Sequence, residues 1–110
     1  MMGDLIERVE IGEETFEDRI AVTNRICPAT PIPTDAPFES VQIVIDAVDR
    51  LLPGADISLQ TCGAHVPGWD ATVSEQYPEE GEPWLVGGFG ETPARALLVA
   101  LLKTLDRDNG

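Results

Sequence analysis

The chain has 110 residues, close to the commonest size for one domain, and its 43% hydrophobic content is that of a soluble globule able to bury roughly two thirds of its unfolded surface. Its 20 acidic residues against 7 basic ones give a formal net charge of −13, which repels phosphate backbones and anionic lipid and favours basic protein surfaces. The composition therefore argues against direct nucleic-acid binding and membrane association, and no stretch approaches the ~20 apolar residues of a membrane span.

The residues from Met1 to Ile11 lack a basic flank followed by an apolar run, which argues against export. In that setting Cys27 and Cys62 read as free thiols in a reducing, cytoplasmic compartment. Leu5, Ile6 and Val9 predict a short amphipathic helix before Gly12. A second helix is expected from Glu13 to Ile26, with Glu13 and Glu14 at its positive end and Phe16, Ile20 and Thr23 along one side. Together these make an N-terminal helical arm over 1–27. Three prolines in the segment 28–34 then remove donors and fix φ, so an extended linker follows.

Asp35 is the expected N-cap of a single helix whose apolar positions Phe38, Val41, Val44, Ile45, Val48, Leu51 and Leu52 keep helical spacing up to Pro53-Gly54. Beyond it, Ile57, Leu59 and Thr61 alternate with polar neighbours, and so do Trp69, Ala71 and Val73. Trp84 to Phe89 supplies a third run. With Gly63 to Gly68 and Pro78 to Pro83 as turns, these make an antiparallel meander. Thr92-Pro93 opens a last helix to about Leu105 that is apolar nearly all the way round, so it must be covered on more than one side, by the arm or by a second subunit. The expected fold is α+β, α-β-β-β-α over 35–106 plus the arm, in one domain spanning 1–110.

The residue pattern supplies no catalytic, cofactor or metal site. Cys62-Gly63-Ala64-His65 places a thiol near the only histidine, without the further ligands a metal needs or the base and oxyanion site a nucleophile needs. Gly87-Gly88-Phe89-Gly90 precedes a helix as phosphate loops do, but no Walker lysine follows and Glu91 would repel the anion, so the glycines are expected to ease the turn from strand to helix. Trp69 and Trp84 suit either the core or an interface. No lysine or arginine lies between Arg50 and Arg95, where Asp70, Glu75, Glu79, Glu80, Glu82 and Glu91 are the candidate contacts for a basic protein partner.

Thr34-Asp35-Ala36, Trp69-Asp70-Ala71-Thr72-Val73 and Thr92-Pro93-Ala94-Arg95-Ala96-Leu97-Leu98, with Asp4 to Glu10 upstream, resemble the small phage and prophage proteins of the phage ABA sandwich family. That resemblance implies a viral or prophage origin and a bacterial cytoplasm, and it brings no catalytic residues. The topology is also similar to double-stranded RNA-binding domains, which place lysines where this chain has Glu91 and the Glu79-Glu80 turn, so their function does not transfer. The expectation is a non-enzymatic accessory protein that binds a basic protein surface, including occupation of a nucleic-acid channel as DNA-mimic inhibitors such as anti-CRISPR proteins do. The alternative is a homo-oligomeric phage module, dimerising through the helix from Ala94 to Leu105. An enzyme is the weakest expectation.

Overall fold

The computed structural model describes residues 2–28, 33–63, 65–76 and 81–109. Among these residues five helices, α1 (Met2–Ile11), α2 (Phe16–Ile26), α3 (Ala36–Glu39), α4 (Val41–Leu51) and α5 (Pro93–Asn109), accompany strands β1 (Asp56–Thr61), β2 (Trp69–Glu75) and β3 (Trp84–Gly90). The strands form an antiparallel sheet in the order β1-β2-β3, which makes the fold α+β, as expected.

Register follows from the alternation. Ile57 lies opposite Val73 and Val73 opposite Val86, while Leu59, Ala71 and Gly88 form the next row. These rows face α5. Trp69 and Trp84 share that face, half-buried against the core, so both are core-facing.

Helix α5 lies at the centre. It packs on β3 and β2 on one side and meets α1, α3 and α4 on others. Every residue from Ala96 to Leu102 is fully buried. The arm supplies cover for the last helix, and the apolar residues from Ala94 to Leu105 are buried within the chain.

Glycines set how closely α5 approaches the sheet. A Cβ on Gly88 would lie 2.4 Å from the Ala100 nitrogen and 2.6 Å from the Ala96 oxygen, and one on Gly90 would lie 2.7 Å from the Ala96 nitrogen. Gly87 to Gly90 lie within β3 and none of them has positive φ, so they do not form the strand-to-helix turn. At 88 and 90 they make room for a helix backbone.

Three helical expectations are corrected. The helix expected from Asp35 breaks at Ser40 into α3 and α4: Ser40 is extended, and its hydroxyl accepts from the Ile43 N–H, while the Asp35 side chain caps nothing. Helix α2 starts at Phe16, after a capping box between Thr15 and Asp18, and only its C-terminal half meets the core through Val22, Thr23 and Ile26. Phe16, in the first turn, is 68% exposed. The last helix continues past Leu105 to Asn109. The linker expected over 28–34 is described only at Pro28, Pro33 and Thr34, and residues 29–32 lie outside the described residues.

Glu14 does not sit at the dipole of α2. Its side chain, 2% exposed, accepts two hydrogen bonds from Arg95, at 2.8 and 2.9 Å, and one from Arg19 at 3.2 Å. Arg95 also donates to the Val9 carbonyl, and Arg19 pairs with Asp35. The guanidinium carbons of Arg19 and Arg95 lie 5.2 and 5.3 Å from the Phe38 ring centroid, both in cation–π range. One cluster thus joins the α1–α2 connection, α2, α3 and α5. Beside it Arg8 grips Asp18 through two hydrogen bonds, and Lys103 pairs with Glu10 at 3.0 Å.

Burial pushes the Glu14 carboxyl up, but hydrogen bonds from Arg95, its own backbone N–H and Arg19, with the charge of Arg95, outweigh burial and hold it below its ordinary value. The Arg8 hydrogen bond, followed by the Thr15 backbone N–H, holds Asp18 far below the carboxylate range. Both folded-state values lie under the unfolded ones, so this stabilisation is complete above about pH 5 and is lost as pH falls through the depressed values. Glu14→Gln leaves Arg95 short of charge in a mostly buried position and should cost about 3 kcal/mol by urea unfolding. It should also flatten the decline in stability below about pH 4. Gly88→Ala should cost about 2 kcal/mol or more through overpacking, whereas Gly87→Ala, with only the Ala71 oxygen at 3.8 Å, should be neutral or stabilising by up to about 1 kcal/mol.

Candidate functional site

Five ion pairs form among the described residues, and their acids are Glu10, Glu14, Asp18 and Asp35. None comes from the sheet. Asp56, Asp70, Glu75, Glu82 and Glu91 enter no ion pair among the described residues, although Arg95 and Lys103 lie on the helix packed beneath them. The local sequence explains this. The segment from Leu51 to Ala94 has no lysine or arginine, and the cations of α5 are held by the arm.

The candidate contact residues do not gather into one patch. Asp70 lies beside Gln60 and Phe89 on the outer face of the sheet, and Glu91 follows Gly90 at that same end. Glu75, opposite Trp84, is about 17 Å farther along β2 at strand rise, and their odd separation sends the two side chains to opposite faces. Glu82 is exposed two residues before Trp84, at the Glu75 end. Glu79 and Glu80 lie outside the described residues.

The outer face carries Asp56, Ser58 and Gln60 from β1, Asp70, Thr72 and Ser74 from β2, and Leu85, Gly87 and Phe89 from β3. Leu85 is 68% exposed. A shallow depression of about 360 Å³ opens over Gly87, with Gln60, Asp70, Thr72 and Phe89 around it and the Glu10–Lys103 pair at its rim. A reading of acids alone leaves out Leu85 and Phe89, which strand alternation combined with meander register places on the face of Asp70.

Among the described residues no hydrogen bond joins Cys62 to His65. His65 is exposed, and the Cys62 thiol is raised above its ordinary value by desolvation, then by the negative charge of Asp70 and a hydrogen bond to it. Both cysteines are free. A raised pKa lowers the thiolate fraction, the reverse of what a nucleophile requires. Among the described residues no group of three or more His, Cys, Asp or Glu side chains is arranged to hold a metal ion, and no helix is long and apolar enough to cross a membrane.

Comparison with protein-family models, curated proteins and solved structures returned no match. The surface chemistry thus rests on this chain's own residues. Asp70→Asn removes both the charge and the accepting carboxylate beside Cys62, so alkylation of Cys62 by iodoacetamide near pH 8 should accelerate severalfold while Cys27 stays unchanged. Equal rates in the two proteins would mean that Asp70 does not control the thiol.

Proposed function

We propose that the chain is a non-enzymatic binding protein that engages a basic surface of a partner protein. The observation that carries this reading is the allocation of charge: among the described residues the ion pairs use acids of the arm and Asp35, and Asp56, Asp70, Glu75, Glu82 and Glu91 enter none. Unneutralised carboxylates on a rigid sheet speed encounter with a cationic surface and penalise approach to phosphate. The resemblance to the phage ABA sandwich family supports an accessory protein of phage or prophage type acting in a bacterial cytoplasm. Net charge of −13 further suits a protein that occupies a channel built for nucleic acid.

Immobilised full chain exposed to bacterial extract tests this. A specific partner should be retained at about 0.1 M salt and released at about 1 M, as the screening length falls from ~10 to ~3 Å. A variant with Asp70, Glu75, Glu82 and Glu91 changed to their amides should retain little of it. Retention that ignores both salt and the amide substitutions would overturn the electrostatic reading.

A further inference from the structure

Glycine within a strand weakens it and commonly marks a place where another molecule approaches closely. Gly88 and Gly90 are explained by α5, whose backbone would collide with any side chain there. Gly87 has no such reason. Its φ is not positive, and a Cβ would meet only the Ala71 oxygen, at the ordinary contact distance of 3.8 Å. It forms the floor of the outer-face depression, between Thr72 on β2 and the free edge of the sheet.

The surroundings of that floor favour a cation. Among the described residues Asp70 takes part in no ion pair, and it lies near enough to Cys62 for its charge to raise the thiol above its ordinary value. The Phe89 ring stands beside Asp70 and is seated over Gly68, where a Cβ would lie 2.8 Å from the ring, so the aromatic group is held in place. Lys103, which reaches the rim, is neutralised by Glu10 at 3.0 Å. Leu85, exposed on the same face two residues before Gly87, adds an apolar contact for the stem of a long side chain.

From this juxtaposition we infer that the outer face of the sheet, centred on Gly87, is the docking surface, and that it seats an arginine or lysine side chain of a basic partner segment between Phe89 and Asp70. The inference rests on the reading that the chain binds a basic protein surface, and it assigns that binding to one face and one pocket. The acids at the opposite end, Glu75 and Glu82, then serve encounter rather than seating.

The test is titration of the ¹⁵N-labelled full chain with a peptide of alternating arginine and threonine, about ten residues long, which is enough to cross three strands at ~4.8 Å spacing. A matching glutamine–threonine peptide is the neutral control. Amide shifts should cluster at Gln60, Asp70, Thr72, Gly87 and Phe89 with the basic peptide and be absent with the control. Gly87→Leu fills the depression without touching the core and should weaken binding at least about tenfold, and Asp70→Asn should weaken it by a similar factor. Asp70→Asn keeps side-chain volume, so it decides the matter even if Gly87→Leu perturbs the sheet. Binding that is salt-sensitive but maps to Glu75 and Glu82, or that ignores both substitutions, overturns this site and leaves the basic-partner reading standing. Absence of any binding at low salt overturns both.

Discussion

A helix that is apolar on every side has to be enclosed, and that requirement organises this molecule. From Ala96 to Leu102 helix α5 offers no residue to water, while a single sheet covers only one side of it. The remaining sides are closed by α1, α3 and α4. Arg95, one turn into α5, is the polar exception at its start, and it is used to lock the enclosure. By holding Glu14 with two hydrogen bonds and the Val9 carbonyl with a third, it fixes the arm to the helix that the arm must cover.

Much of this was legible because local pattern and final position coincide. Alternation placed all three strands within one residue of where they lie, since Ile57, Leu59, Ala71 and Val73 face α5 and their neighbours do not. The all-round apolar character of α5 already implied cover by the arm or by another subunit. Other features were illegible for physical reasons. The apolar spacing of Phe38, Val41 and Val44 runs smoothly across Ser40, and Asp35 and Ser40 are both good caps, so local pattern does not separate α3 from α4, nor does it show the two guanidinium groups from α2 and α5 that lie in cation–π range of Phe38. Glu14 has a local role to suggest, at a helix start, but its strongest partner is 81 residues away. The glycines of β3 look alike in sequence. Only the position of Ala96 and Ala100 separates Gly88, which the packing demands, from Gly87, which it does not.

The shortage of cations has a structural outcome as well as a compositional one. Arg19, Arg95 and Lys103 are committed to the joint between arm and core and Arg8 to the arm itself, where they offset acids that would otherwise be buried or crowded together. The sheet layer receives none of them. Its negative field is therefore a by-product of how the helical layer is held, and the two layers differ in character although they share one core. The outer face of the sheet, polar and acidic with Leu85 and Phe89 among its side chains, is turned away from the packing with α5 and meets the helical layer at the Glu10–Lys103 pair on its rim.

The joint between arm and core also governs when the fold can be completed. Glu14 and Glu10 find Arg95 and Lys103 at separations of 81 and 93 residues, so the first described helix, paired locally with α2 through Arg8 and Asp18, finds most of its remaining cover on the last. During synthesis α1 leaves the ribosome long before its partner exists, and Ile6 and Val9 stay uncovered until α5 has followed. Closing so long a loop is slow relative to local helix formation, because its entropy is lost before the contacts are gained. The meander can pair early, since its strands are neighbours in sequence. The order of assembly is thereby written into the distance between one glutamate and one arginine.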